Sequence, residues 1–176
     1  MGEASKISRY LYTVIVLFLI WLAITASLDP QELGFGLLLS LIVAAFTYEI
    51  FTTSGLANLH PKRIAYMLAY IPYFLWAMIK ANLDVAYRVL HPKRPIRPGI
   101  VKCRTVLNSD VGKLSLANSI TLTPGTITLD VDGDEYFIHW IWVPEEAMTE
   151  NEEEHVKVAS ENITVPFEKF LKVIFG

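Results

Sequence analysis

Two uncharged runs near the N-terminus constrain the fold of this chain more than any other feature. No charged side chain occurs from Tyr10 to Leu28 or from Leu33 to Tyr48, and Glu49 can reach a membrane interface by extending its side chain. A helix needs about twenty mainly apolar residues to cross the hydrocarbon core of a bilayer. Because the turn residues Asp29 and Pro30 separate the runs, the sequence predicts a transmembrane helical hairpin over residues 1–60. A cleaved signal peptide is the alternative for the first run, but signal cores are usually shorter.

The charges around this hairpin predict its orientation in the membrane. Lys6 and Arg9 precede it, Lys62 and Arg63 follow it, and the charged residues of its turn are all acidic. Short flanks rich in Lys and Arg stay on the cytoplasmic side, so both ends of the hairpin are expected there.

Three small residues recur every four positions in the second helix, at Gly36, Ser40 and Ala44. This spacing places them on one face, where small side chains let another helix approach closely. We expect this face to be a helix-packing surface.

Residues 61–90 form the ambiguous part of the membrane region. The run Ile64 to Ile79 is uncharged, but its sixteen residues fall short of a full span, and it contains Pro72 and several aromatic side chains that favour a membrane interface. Farther on, apolar and charged residues follow separate stripes, as in a helix lying on a membrane surface. An interfacial amphipathic helix is the preferred interpretation, and a third transmembrane helix remains open.

Residues 91–99 contain three prolines and a glycine, which predicts a linker without helix or strand. Basic residues cluster around it, and we expect four of them to lie at the membrane surface and pair with anionic lipid headgroups: Arg88, Lys93, Arg94 and Arg97.

The remaining residues, 100–176, are predicted to form a cytoplasmic α/β domain of order βαββα. Ile100 to Leu107 has the pattern of a strand, and Asn108 or Ser109 can cap the helix that follows. Thr126 to Asp132 and Glu135 to Val143 flank an Asp-Gly turn, as in a β-hairpin. The stretch from Glu145 to Glu154 is expected to be a solvated loop, and Pro166 to Phe175 a closing helix.

Composition and motifs argue against several classes of function. The net charge of −3 gives no basic field for nucleic acid. A single cysteine and four scattered histidines predict no disulfide or metal site, and no phosphate-binding loop or nucleophile elbow is present in the sequence. We therefore predict that the chain is not an enzyme and binds no cofactor.

The run from Leu116 to Thr126, followed by Ile127 to Val131, resembles the distinctive motif of the MnhE/MrpE family, a membrane component of multisubunit cation/proton antiporters. The segments Ala81 to Leu90 and Pro98 to Val101 are also similar to that family's sequence before the motif. Seven polar and turn residues of the motif are expected to have a structural role: Asn118, Ser119, Thr121, Thr123, Pro124, Gly125 and Thr126.

The resemblance implies an accessory or scaffolding subunit of a sodium/proton antiporter in the cell membrane, with other antiporter subunits as partners. It also leaves open the antiporter-like module of a redox-coupled complex such as a membrane-bound hydrogenase, in which redox subunits would be partners. From the residues alone, a membrane-tethered binding domain that acts by itself is a third hypothesis.

Overall fold

The structure, a computed structural model, describes residues 5–51, 55, 59–93, 95–149 and 151–175. The chain divides into two compact units, Met1–Ile64 and Ala65–Gly176. Its main elements, in chain order, are α1 (Lys6–Thr25), α2 (Pro30–Phe51), α3 (Pro61–Leu90), β1 (Gly99–Arg104), α4 (Asp110–Leu122), β2 (Thr126–Asp132), β3 (Glu135–Trp140), α5 (Glu152–Ile163) and α6 (Val165–Phe175). Within the described residues, α1, α2 and α3 are long and apolar enough to cross a membrane.

The first unit contains the hairpin of α1 and α2. The N–H of Ala26, which has a left-handed backbone conformation with φ of 48°, donates to the carbonyl of Leu22 and closes the last turn of α1. Asp29 then accepts a hydrogen bond from the Gln31 N–H, while Pro30 is the first residue of α2. The carboxylate caps the start of the helix by accepting from a backbone N–H. Proline suits the first helical position because it has no N–H that would be left unpaired there.

Helix α3 is continuous over 30 residues and contains Pro72. One of its faces carries Tyr66, Tyr70, Tyr73, Phe74 and Ala77, which pack against the core of the α/β domain. The aromatic rings of this face are therefore partly buried against protein, and the expectation that they lie in a membrane interface stays a prediction. From Ala65 onward, α3 thus belongs to the same compact unit as the sheet.

The sheet has three antiparallel strands in the order β1-β3-β2. The predicted hairpin of β2 and β3 is confirmed: Asp132 pairs with Glu135 across a two-residue turn in which Gly133 has a φ of 60°. An L-residue with a side chain rarely adopts this φ, which is why the turn uses glycine. A bulge between Thr128 and Asp130 shifts the register of β2.

The predicted βαββα order is wrong at the C-terminus, where two helices follow β3. Helix α5 begins within the stretch expected to be a loop, at Glu152, and the side chain of Asn151 caps it by accepting from the N–H groups of Glu153 and Glu154. Carboxylates are favourable at this end of a helix because it carries the positive end of the helix dipole. The acidic run therefore starts a helix rather than a loop.

Helix α5 also covers the free edge of β1. His155 Nε2 accepts from the Lys102 N–H, and Ser160 Oγ accepts from the Arg104 N–H. Thr164 Oγ1 donates to the Arg104 carbonyl. These side chains satisfy backbone groups that an unpaired edge strand would present to other chains.

The core of the domain lies between the sheet and its helices. It is built from these buried hydrophobic residues: Val101, Cys103, Leu107, Leu116, Ile120, Tyr136, Ile138, Val143, Ala147, Ala159, Ile163, Phe167, Leu171 and Ile174.

Candidate functional site on the third helix and the α/β domain

The small-residue face of α2 packs against α1 of the same hairpin. Ser40 and Ala44 are buried, and a Cβ on Gly36 would collide with the indole ring of Trp21. Trp21 Nε1 donates to the Glu32 carbonyl at 3.1 Å, which holds the ring in this position. The helix that approaches Gly36 is therefore α1, whereas the sequence had left its identity open.

Aromatic rings join α3 to α6 in the second unit. The ring centroid of Phe170 lies 4.7 Å from that of Tyr73, 5.7 Å from Tyr70 and 6.3 Å from Tyr66. Aromatic pairs at such distances contribute beyond the area they bury. Phe170 is thus the centre of the contact by which α3 is held to the domain.

A hydrogen bond joins α3 to the motif that runs from Leu116 to Thr126, called the family motif below. The hydroxyl groups of Tyr70 and Ser119 lie within hydrogen-bond distance, and Ser119 Oγ also donates to the Ser115 carbonyl. Because Ser119 is buried, both partners of its hydroxyl help to offset the cost of removing that group from water. Tyr70 thus connects the aromatic contact to the motif.

The threonines of the motif are used at the C-terminal end of α4. Thr123 Oγ1 donates to the Ser119 carbonyl, and Thr126 Oγ1 donates to the carbonyls of Ile120 and Thr123. Thr121 Oγ1 accepts from the Thr128 N–H of β2. The last carbonyls of a helix have no partner within the helix, so these hydroxyls satisfy groups that the chain reversal would leave unpaired.

Pro124 and Gly125 make the reversal between α4 and β2. Gly125 has a φ of 97°, and a Cβ at this position would lie 3.0 Å from the side chain of Ile141. Its carbonyl accepts from the Ile141 N–H. Asn118 is exposed, and no hydrogen bond to its side chain occurs in the described part of the chain.

Two of the four predicted headgroup-binding residues have partners inside the protein. The guanidinium groups of Arg88 and Arg97 lie 4.6 and 4.8 Å from the ring centre of Trp142. Arg88 also pairs with Asp84, and its side chain is only 14% exposed. Arg97 donates to the Val143 carbonyl and pairs with Glu145.

These contacts tie the Pro-rich segment to the end of the sheet. The backbone of Arg97 pairs with that of Trp142 in a parallel bridge. Lys93 is exposed, and Arg94 lies outside the described residues. Headgroup binding by the basic cluster stays a prediction, and it rests mainly on Lys93.

Burial and charge shift the pKa of several groups in the domain. Burial raises the pKa of the Cys103 thiol to about 12 and that of Tyr136 to about 12. Hydrogen bonds from Lys102 and Arg104 lower the pKa of Glu135. A thiol with a raised pKa carries little thiolate at neutral pH, and Cys103 is fully buried in the core, so it is not placed to react. Among the described residues, no three or more His, Cys, Asp and Glu side chains form a group that could hold a metal ion.

The sequence analysis missed the residues that organise this site, namely Tyr70, Phe170 and Trp142. A signal was present for the first two, since the aromatic residues of α3 and those of α6 each recur at helical spacing. This spacing does not show that the aromatic face of α3 contacts that of α6. No local pattern indicates the position of Trp142 between two arginines.

Comparison with known proteins identifies the family. The sequence profile of the MnhE family, described as a Na+/H+ ion antiporter subunit, matches residues 14–164. The chain belongs to this family. The resemblance in the motif is thereby confirmed, as is the architecture of membrane helices followed by a small α/β domain.

Relatives in the family are components of Na+/H+ antiporters. The chain is 33% identical over 132 residues to the E-type component of the Na+/H+ antiporter of Alkalihalophilus pseudofirmus, covering 74% of this chain and 84% of the relative. It is 32% identical over 124 residues to the E1-type component of the Na+/H+ antiporter of Staphylococcus epidermidis, covering 69% and 76%.

One solved structure is much more similar. A chain in the structure of the membrane-bound sulfane sulfur reductase, an archaeal respiratory membrane complex, is 73% identical to this chain. The match has a TM-score of 0.82 and covers 96% of this chain and 99% of that chain.

Proposed function

We propose that this chain is a non-catalytic accessory subunit of a redox-coupled respiratory membrane complex of the sulfane sulfur reductase type. The observation that carries the proposal is the 73% identity, over nearly the full length of both chains, to a chain of that complex. The antiporter relative from Alkalihalophilus shares 33% identity with this chain. Other membrane subunits of the antiporter type are its expected neighbours.

The hairpin supports a scaffolding role over an ion path. Its sequence has no acidic or basic residue between Arg9 and Asp29, and ion pathways through membranes need such groups at depth. Arg9 instead donates to the Glu49 carbonyl at 2.7 Å, at the end of the hairpin where α1 begins and α2 ends. Ion translocation is assigned to the neighbouring subunits.

The second candidate is an accessory subunit of a sodium/proton antiporter without redox subunits. The family description and the antiporter relatives favour it. The two candidates differ in the proteins that accompany the chain, because only the first requires electron-carrying partners.

Co-purification distinguishes the candidates. The full chain, tagged at its C-terminus in its own cells, is extracted in mild detergent, and the associated subunits are identified by mass spectrometry. Antiporter-type subunits together with redox subunits are expected. Antiporter-type subunits without redox subunits would support the second candidate. A free monomer would contradict both and favour a tethered domain that acts alone.

A surface position for α3 and a cytoplasmic α/β domain are parts of the same proposal. The face of α3 from Tyr66 to Ala77 packs against the domain, so a crossing there would carry α6 into hydrocarbon with its charged residues Lys169 and Lys172. A charge in the bilayer centre is costly. The basic flanks of the hairpin support an even number of crossings, which makes the domain cytoplasmic.

Thiol labelling tests the side of the membrane. A cysteine replaces exposed Glu153 in a Cys103→Ser background, and sealed right-side-out vesicles are treated with a membrane-impermeant maleimide. Labelling only after the vesicles are opened is expected. Labelling of intact vesicles would place the domain outside and make α3 a third span.

A further inference from the structure

A groove of about 550 Å³ lies between α3 and the family motif. Tyr73, Trp76 and Lys80 line it from α3, and Pro124 and Gly125 line it from the motif. Trp140 and Phe167 are among the apolar residues of its other walls. Its size and its mixture of apolar walls and few polar groups are typical of sites that bind small molecules.

Lys80 gives the groove a positive charge. Its side chain is exposed, and it has no hydrogen bond or ion pair with any described residue. Asp84, which also lines the groove, is paired with Arg88 at 2.7 Å. The neighbouring charges therefore cancel, and Lys80 remains as the uncompensated cation.

The outer face of α3 determines how deep the Lys80 ammonium group lies relative to the membrane. Leu68, Ile71, Leu75 and Ile79 are exposed and lie opposite the face that packs on the domain. An amphipathic helix buries such a face roughly 5–10 Å into the boundary between headgroups and acyl chains. Since a helix is about 10 Å across, the side of α3 that lines the groove then lies at the level of the lipid phosphates.

Trp76 lies at the border between these faces of α3. It is 64% exposed and also lines the groove. Tryptophan is enriched at membrane interfaces because its ring is apolar while its N–H can form a hydrogen bond. Its position agrees with a groove that opens toward the headgroup layer.

We propose that this groove binds the headgroup of one anionic phospholipid, with the ammonium group of Lys80 against the phosphate. The motif then has a second role, because its reversal at Pro124 and Gly125 forms one wall of a lipid site. This inference rests on the surface position of α3 proposed above.

Native mass spectrometry of the full chain in mild detergent tests the proposal. With added phosphatidylglycerol, we expect one lipid to be retained in preference to phosphatidylcholine. Lys80→Gln should lower this retention by about fivefold, the effect expected for one basic residue near anionic lipid. Ala81→Trp, which fills the groove and keeps the charge, should lower it as well.

Lys169→Gln is the matched control, since Lys169 is exposed on α6 and does not line the groove. It should retain lipid as the unchanged protein does. Equal losses in Lys80→Gln and Lys169→Gln would overturn the proposal, as would equal retention of both lipids by the unchanged protein. Displacement of the lipid by millimolar glycerol phosphate would show a general phosphate site instead. Thiol labelling reports separately on the side of the membrane that the domain occupies. Failure of the lipid-site proposal can therefore be told from failure of the proposed surface position of α3.

Discussion

Replacing Phe170 with alanine should release α3 from the α/β domain. The ring of Phe170 makes three aromatic contacts with α3, to Tyr66, Tyr70 and Tyr73. Each pair is worth about 0.5–1.5 kcal/mol beyond its buried area. Because Phe170 is half-buried, the expected cost of about 2–4 kcal/mol overlaps the lower end of the range for Phe→Ala changes in protein cores.

Hydrogen exchange of the full chain in detergent measures this cost locally. The backbone amides of α3 between residues 66 and 77 should exchange at least about 30-fold faster in Phe170→Ala, since about 1.4 kcal/mol corresponds to a factor of ten. The amides of β1 and β3 should change less, because the sheet keeps its own core contacts.

Phe46→Ala is the matched control for this prediction. Phe46 lies on the exposed surface of α2, in the other compact unit, and makes none of the ring contacts of Phe170. The same chemical change there should leave exchange in α3 unchanged. Exchange in α3 within about twofold of the unchanged protein for Phe170→Ala would refute the conclusion that these rings hold the helix.

Three further predictions follow from the packing and the pKa shifts. Gly36→Leu should disrupt the hairpin because the leucine side chain would collide with Trp21, whereas a side chain at Gly34 would have open space. Cysteine cross-linking between α1 and α2 compares Gly36→Leu with Gly34→Leu. Equal cross-linking in the two variants would contradict the prediction. Trp142→Ala removes two cation–π contacts and should cost about 1–2 kcal/mol in chemical denaturation of the α/β domain. An unchanged denaturation midpoint would be evidence against those contacts. Burial raises the pKa of the Cys103 thiol from 9.0 to about 12, so the thiol proton is lost from the unfolded chain at a lower pH than from the folded chain. The free energy of unfolding therefore falls as pH rises above 9, by about 1.4 kcal/mol at pH 10. Cys103→Ala should lose less stability over that range in thermal unfolding, and an equal loss would contradict the shift.

The membrane hairpin and the β-hairpin were predictable because their signals are local. The length of an uncharged run shows directly whether it can span a bilayer, and the turn at Asp132 and Gly133 lies between two segments of alternating apolar and polar residues. Helix α5 was not predicted, because its acidic first turn looks like a solvated loop until Asn151 is recognised as its cap. The dipole of the helix makes that charge favourable, and a count of charges does not include this effect.

The candidate site was less predictable because it depends on contacts between distant segments. The motif identified the family, but its sequence did not show that Ser119 meets Tyr70 from α3. The basic cluster was interpreted from charge alone, whereas Trp142 lies 54 positions beyond Arg88 in the chain and contacts that arginine in the fold. Partners at this sequence separation leave no local periodicity to detect.

The two faces of α3 explain how an accessory subunit positions a domain at a membrane or beside a partner. On one face, Phe170 and the bond between Tyr70 and Ser119 hold the helix to the domain; the other face is apolar and exposed. A partner that covers the exposed face therefore restrains the domain as well, because α3 from Ala65 onward and the domain form one compact unit. The threonine hydroxyls of the motif donate to carbonyls at the end of α4. The motif is therefore polar because these carbonyls need hydrogen-bond partners. On the proposed function, loosening the joint should impair assembly of the complex before it alters the chemistry of any neighbouring subunit.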